Sequence, residues 1–599
     1  MKTTTIWSTC GKLAALAAVS CAHAAFEPKL TSQLDGWKIE RSLSSPEPGL
    51  ELLKITLTSD SVRRMPRMCF VWKTPNRGFS GCRHSAAYST TKICPDWAGG
   101  GVNTRLTCQI PYYQVMGSCD DNLELLAVSD CFVETGMGTK IREETLLEEW
   151  WCNISANLRP ETNRYEVTLR WDTRAIPFDR AQQDMARWFE TFPETAPARP
   201  PEAAFAPVYS TWYSYHQNVF QKELEDEFAR AAALGCKTVI LDDGWQTDDN
   251  NRGYAFTGDW VISTNRFPDM KAHVRRVHEL GMKYVVWFAT PSVGAKSAAW
   301  SRFKNKCISF NKRSGSGRLD PRYPEVREFL ISTFENAVRE YDYDGLKLDF
   351  IDGWREAGRP GRGADYKTVC GAVDRLMTDI MSRLKAIKPD ILIEFRQSYI
   401  GPAIRKYGNM LRVSDCPADY LSNRDGTMSL RLTSGETAVH SDMIRWHPDC
   451  ATDEAAMQLL NVIFGVPQIS VKIAELKEDH VKMLRFWLGF IGEHSDTLYH
   501  GDFRAYGPQS GWTAGCAETE KERVFAVFAA NVAADARTAS GKRVYVVNAS
   551  GVDSVVADVT PGSRYEIRNV IGEVVARGTV EVPVVRLAVP NGGLVIFIA

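Results

Sequence analysis

The 599-residue chain lacks a long apolar run. Its first apolar stretch, Leu13-Ala14-Ala15-Leu16-Ala17-Ala18-Val19, is too short to cross a bilayer, and no later segment is long and apolar enough, so a membrane span is not expected. The chain also lacks an excess of either charge. Lys+Arg 72 against Asp+Glu 73 gives a formal net charge of −1, which argues against nucleic acid or an anionic membrane as the main partner. Histidine is scarce, at 10 residues. The cysteine-rich segment holds no Cys-x-x-Cys or His-x-x-x-His pair, so the sequence implies no metal centre. There is no internal repeat and no low-complexity tract.

What is present reads as an exported, multidomain globular protein. The length predicts two to four domains, and 44% hydrophobic and 24% charged residues are ordinary for a soluble chain. Lys2 and Lys12 precede the short apolar run, and Ala22-His23-Ala24 has the small-x-small form of a cleavage site, so residues 1–24 are expected to be a signal peptide. A lipid-modified Cys21 competes less well with simple cleavage, because Ala18 stands where a leucine-like residue is expected. Seven of the 15 cysteines lie between Cys69 and Cys152, and an oxidising compartment would let them pair as disulfides of unknown connectivity.

From about 25 to 195, short alternating runs separated by turn residues predict an N-terminal β-sandwich. A proline-rich connector, Thr195 to Pro201, follows. Between 202 and 505 the pattern alternates strand and helix. Eight strands are expected at 208–212, 238–242, 284–288, 345–350, 391–395, 410–414, 438–443 and 467–471. Phe267-Pro268-Asp269 opens one helix, which stops at Gly281, and Pro324 sits in the first turn of another. The charge run at 223–227 is expected on the solvated side of a helix. Eight alternations predict a (β/α)₈ barrel of the TIM type. A doubly wound open sheet is the alternative, but no glycine-rich phosphate fingerprint follows the first strand. From 506 to 599 the helical period disappears, and a small C-terminal β-sandwich is expected.

Barrels of this kind carry chemistry at the C-terminal ends of their strands. Those ends hold Trp212, Asp242 and Asp243, Trp287, Lys347 and Asp349, Glu394 and Arg396, then Asp415. Lys347 and Asp349 share one face of an apolar strand, where buried charges must pair or work. Two carboxylates with opposite tasks are the pattern of glycoside hydrolysis. The cation two residues away should keep Asp349 ionised, which suits a nucleophile. The mixed apolar setting of Asp415 should raise its pKa toward an acid/base role. Asp242 and Asp243 can accept hydroxyl hydrogen bonds, while Trp212, Trp245 and Trp287 offer apolar faces or simply pack. Arg396 can bind a hydroxyl or pair with Glu394. His440, which shares a strand face with Asp442, and His447 are expected at the surface or behind the site.

With these residues assembled, the chain resembles glycoside hydrolase family 36, the α-galactosidase family of the retaining clan. The resemblance rests on Leu241-Asp242-Asp243-Gly244-Trp245, Gly258-Asp259-Trp260, Phe267-Pro268-Asp269, the run from Leu319 to Arg327, Lys347-Leu348-Asp349 and Arg412-Val413-Ser414-Asp415. It covers the barrel, roughly half the chain. It implies that Asp349 is the nucleophile, Asp415 the acid/base, and Asp242, Asp243 and Lys347 ligands of galactose hydroxyls, with Trp287 lining the pocket. Arg412 matches an arginine that precedes the acid/base, but at a shorter spacing, which makes Asp419 a rival to Asp415.

Many family members carry a Cys-Ser-Gly-Gly-Gly-like loop near the sugar 2-position. Here Glu394-Phe395-Arg396-Gln397-Ser398 stands instead, leaving the sugar open between galactose, N-acetylgalactosamine and L-arabinopyranose. The resemblance implies an oligosaccharide or glycoconjugate substrate and no cofactor, and it leaves oligomerisation open. A transglycosylase of the raffinose-synthase type, a Mg²⁺-dependent lyase or isomerase, and a non-catalytic sugar-binding protein are the other readings.

Overall fold

The computed structural model describes residues 26–598 apart from 88–89, 99, 155–159 and 538–540. The expected signal peptide and Cys21 lie outside the described residues. In the N-terminal region two six-stranded sheets enclose one core. Their strands alternate as the pattern requires: along Leu147–Ile154 every second residue is buried. Trp72, Trp150 and Trp171, contributed by both sheets, meet at ring separations of 4.9 to 5.8 Å.

The middle of the chain closes into an eight-stranded parallel barrel. Its strands are β1 (Val208–Ser210), β2 (Thr238–Leu241), β3 (Lys283–Ala289), β4 (Gly345–Asp349), β5 (Leu392–Arg396), β6 (Met410–Arg412), β7 (Ala438–Ile444) and β8 (Val466–Ile469). Closure is direct, since Val208 and Tyr209 of β1 register with Gln468 and Ile469 of β8. All eight expected strands are present, within a few residues at their ends. Gly345 opens β4 because a Cβ there would lie 2.4 Å from the Leu392 carbonyl.

The helices start where side chains satisfy them. Asp269 caps Met270–Glu279 by accepting from Ala272 N at 2.9 Å, and Pro324 begins Pro324–Tyr341. One expectation fails. Glu227, in the charge run, is buried and accepts from the Tyr209 hydroxyl at 3.1 Å, because helix Gln221–Ala233 turns that position inward onto β1. After β3 the chain adds a three-stranded antiparallel sheet, Ser292–Gly294, Cys307–Asn311 and Ser316–Leu319, that the strand–helix pattern did not foretell.

At the C-terminus a seven-stranded and a three-stranded sheet share a second β core. The larger sheet begins at Asp502–Tyr506, inside the span assigned to the barrel, because those residues pair with Ala514–Glu518. No disulfide is present among the described residues, whose thirteen cysteines are free. Several are used as small core groups, as with Cys82, whose Sγ lies 2.8 Å from the Tyr113 hydroxyl. Among the described residues no helix is long and apolar enough to cross a membrane.

Candidate active site

Charged side chains converge at the C-terminal end of the barrel, and each reaches it from a strand end. Asp349, the last residue of β4, is buried and surrounded by donors. Its Oδ1 accepts from Arg396 Nε at 2.9 Å, from Phe350 N at 2.8 Å and from the Tyr399 hydroxyl; its Oδ2 accepts from Trp287 Nε1 at 3.1 Å. Burial alone would raise its pKa. The charges of Arg396 and Lys347, with the Tyr399 and Trp287 hydrogen bonds, outweigh burial and hold it well below the usual carboxylate range. Phe350, immediately after it, sits at φ 66°, a left-handed conformation that a bulky residue adopts only under constraint.

Lys347 does not pair with Asp349 as expected from their shared face. Its Nζ lies 2.6 Å from Asp242 Oδ2 and 3.9 Å from Glu394 Oε1. Arg396 takes that place instead, and so does not pair with Glu394. Glu394 is fully buried deeper in the barrel, where Gln468 donates to it, and burial pushes its pKa up. The two carboxylates of the Asp242-Asp243 pair part ways. Asp242 joins the Lys347 cluster, while both oxygens of Asp243 accept from amides, Gln217 Nε2 and Gln246 Nε2, each at 2.8 Å. Burial raises the Asp243 pKa to about 6.

Asp415 stands at the rim, with its side chain half exposed, and Arg412 Nη2 donates to it at 2.9 Å. Arg412 is itself fully buried, ion-paired to Asp442. The expected rise in the Asp415 pKa does not occur. Partial burial raises it, but the Arg412 charge, followed by Arg396 and Lys347, lowers it below the ordinary value. Arg396 therefore acts on both Asp349 and Asp415, which places the two carboxylates in one field. The rival Asp419 lies outside this cluster. It caps helix Tyr420–Thr433, accepting from Leu421 N, Ser422 N and the Ser422 hydroxyl.

Trp287 is buried in the site, and Trp245 supports it by donating to its carbonyl at 3.0 Å. Trp212 belongs to the short helix Trp212–Tyr215 rather than to β1, half-buried beneath the Arg252 guanidinium. His440 is not at the surface. It is fully buried, held by the Ala204 carbonyl at 2.8 Å, and burial lowers its pKa to about 4. His447 is exposed, as expected.

Sequence reasoning missed Tyr399 and Tyr213, whose hydroxyl donates to Asp442 at 2.9 Å, and gave Asp442 no role beyond sharing a strand face with His440. Tyr399 lies three residues beyond Arg396, just past the stretch 394–398 that departs from the family pattern. Among the described residues no group of three or more His, Cys, Asp or Glu side chains is placed to hold a metal ion.

With this geometry in hand, the barrel can be compared with known proteins. A family model described as melibiase matches residues 204–418, from the approach to β1 through Asp415. Residues 204–418 are thus similar to the melibiase family. The match spans Asp242, Lys347, Asp349, Arg396, Arg412 and Asp415, and it supports the family 36 assignment drawn from the motifs.

The chain is similar to α-galactosidase 2 of Pediococcus pentosaceus, 25% identical over 207 residues that make up 33% of this chain and 28% of that protein. It is likewise similar to the α-galactosidase of Escherichia coli, 27% identical over 187 residues, 30% of this chain and 26% of that one. The alignments thus span little more than a quarter of these relatives' length. In three dimensions the fold extends further. The α-galactosidase AgaA of Geobacillus stearothermophilus, solved with raffinose, superposes with a TM-score of 0.63 over 94% of this chain and 81% of that one, at 12% identity. The α-galactosidase of Lactobacillus brevis gives 0.62 over 96% and 86%, at 13% identity. These likenesses extend the shared fold to the flanking β domains.

Proposed function

We propose that the melibiase barrel makes this protein a glycoside hydrolase, a retaining exo-α-galactosidase acting through a covalent glycosyl–Asp349 intermediate. The observation that carries the proposal is the ring of four donors around Asp349, which keeps a buried carboxylate ionised at a strand end. Three of these donors occupy Oδ1, and Oδ2 has Trp287 alone, so Oδ2 is the oxygen with lone pairs free for attack.

In the first step Asp349 Oδ2 bonds to the anomeric carbon as the bond to the leaving oxygen breaks, and Asp415 gives its proton to that oxygen. In the second, Asp415 takes a proton from water, the water oxygen bonds to the anomeric carbon, and the ester to Asp349 breaks. Once Asp349 is esterified its negative charge is gone, while Arg396 and Arg412 still act on Asp415. That lowers the Asp415 pKa further and suits it to act as base. Asp242, held by Lys347, is the group to accept sugar hydroxyls, and Trp287 is the apolar wall. The relatives' names favour galactose.

A panel of 4-nitrophenyl α- and β-glycosides, with the first-formed anomer followed by NMR, tests this reading. Release from the α-galactoside with retention is expected, and Asp349→Asn should lower turnover by at least about a thousandfold while sugar binding persists. Inversion of the anomer, or full activity in that variant, would overturn the assignment. Export with cleavage after Ala24 is part of the proposal, and sequencing the N-terminus of the mature protein checks it.

A further inference from the structure

The small sheet that follows β3 and the loop that follows β4 enclose a cleft of about 480 Å³, within the size range of small-molecule sites. The cleft adjoins the candidate active site. Phe350, whose backbone N–H donates to Asp349, forms part of its wall, as does Tyr254, whose ring lies 6.3 Å from that of Trp287. The facing wall is the sheet itself. Ser292 and Ser309 both register with Arg318, so the guanidinium stands in a row with a hydroxyl on either side.

Two features mark Arg318 as built for a ligand. Among the described residues its guanidinium makes no hydrogen bond and no ion pair: Asp352 attracts it and Arg355 repels it across the cleft, without contact. It also lies flat against Gly353. A Cβ at that position would fall 2.6 Å from Nε and 2.7 Å from Nη2, although the backbone there is not in the left-handed region. The glycine thus serves to make room for the guanidinium. With Arg355 on the opposite lip, the cleft sets two cations against one carboxylate, Asp352, whose hydrogen bond comes from the Ser398 hydroxyl at 3.3 Å. A half-buried, unpaired guanidinium such as that of Arg318 is costly in a pocket that binds only neutral molecules, and the exposed Arg355 adds a second positive charge at the edge.

We propose that this cleft receives the leaving group of the substrate, and that this group is a sugar bearing an anion, a carboxylate or a sulfate ester, held by Arg318 and Arg355 with Ser292 and Ser309 beside it. The proposal rests on the glycosidase reading for the word "leaving group" and on the cleft alone for the anion.

Calorimetric titration of the full chain with glucose, glucuronate and glucose 6-sulfate tests the anion directly. Charged sugars should bind at least about tenfold more tightly than glucose, the usual scale of one charge-assisted contact. Arg318→Gln and Gly353→Ala should each erase that preference, and Asp352→Asn should strengthen it. Preference for one of the two charged sugars assigns the source as uronate or sulfate; equal affinity means that charge alone is read. If neither binds more tightly than glucose, or if Arg318→Gln changes nothing, the proposal is wrong.

Hydrolysis supplies the second arm. Arg318→Gln should lower kcat/KM for an α-galactosyl uronate at least about tenfold more than that for 4-nitrophenyl α-galactoside. Loss of both to the same extent would also overturn it. Absence of any glycosidase activity, with charge-selective binding intact, would remove the reading of the previous subsection and leave the anionic-sugar site in place.

Discussion

At the scale of the residue, the site separates two aspartates by their partners. Asp349 is encircled by donors, and Asp415 is held by one arginine at the rim. Both pKa values lie below the ordinary one, that of Asp349 further. The proposed first step needs Asp349 ionised and Asp415 protonated. The free enzyme's active form is therefore lost on the alkaline side as pH rises through the lowered pKa of Asp415, so kcat/KM should have an acid optimum and decline before neutrality. A bound sugar shields the half-exposed Asp415 from water, which raises its pKa, so the alkaline limb of kcat should lie at higher pH than that of kcat/KM. Steady-state profiles in both parameters check this, and a kcat/KM that is level to pH 7 would contradict it.

Tyr399→Phe removes a donor from Asp349 Oδ1. The carboxylate should then be harder to ionise, moving the acid limb to higher pH and lowering kcat about 10- to 100-fold. Asp349 and Asp415 were legible as candidates because charge at or just past the end of an apolar strand asks for a reason. Tyr399 was not, since an aromatic residue in a loop carries no such anomaly.

At the scale of the element, periodicity exposed the barrel. Parallel strands buried on both faces leave apolar runs that helices punctuate, and each of the eight strands was legible this way. The antiparallel sheet after β3 was not, because Ser316–Leu319 and Cys307–Asn311 are short and carry polar residues such as Ser309 and Arg318 that face a cleft. Glu227 was misplaced for a similar reason: charge suggested solvent, while its partners Tyr209 and Ile473 come from elements 18 and 246 positions away.

Asp419 has a place in an element that gives it a structural role. As the N-cap of Tyr420–Thr433 it satisfies two backbone N–H groups. Asp419→Ala should cost about 1 kcal/mol of stability, seen as a lower denaturation midpoint, and leave kcat within about twofold. Asp415→Asn should do the reverse. It should keep the midpoint and lose most turnover of substrates whose leaving group needs a proton, with less loss for 4-nitrophenyl galactoside. Assays of both variants on the two substrate types separate capping from catalysis.

At the scale of the molecule, the three regions meet at a buried point. Arg83 of the N-terminal strand Phe79–Arg83 reaches into the barrel, where its Nη2 donates to the Ser429 hydroxyl at 2.6 Å and lies 3.7 Å from Asp425 Oδ1. Its guanidinium also sits 4.6 Å from the ring centroid of Trp512, in the C-terminal region, and Trp512 Nε1 donates to the same Asp425 oxygen at 2.5 Å. All three side chains are buried. A second link runs beside it, where Arg504 donates to Asp179 at 2.7 Å. No local pattern signals this junction, since Arg83 and Ser429 stand 346 positions apart and each looks ordinary among its neighbours.

The energetics follow from burial. Removing the cation from a buried pair leaves an uncompensated carboxylate, at a cost of about 3–5 kcal/mol, whereas removing both charges avoids that penalty. Arg83→Met should therefore lower the melting temperature markedly and split the calorimetric transition, as the flanking β regions lose their common anchor. Adding Asp425→Asn to Arg83→Met should restore part of the loss, so that the double variant is less destabilised than the two single changes combined. If the effects instead add within about 0.5 kcal/mol, as independent sites do, Arg83 and Asp425 do not form the coupling between regions. A junction of this kind also bears on the cleft beside the site. Arg105, from the N-terminal region, donates to the backbone carbonyl of Asp352 at 3.0 Å, so a domain that rocked on its anchor would move the loop carrying Asp352 and Gly353. Arg83→Met should then weaken binding of a charged sugar at temperatures below the first transition, although Arg83 is no part of the cleft.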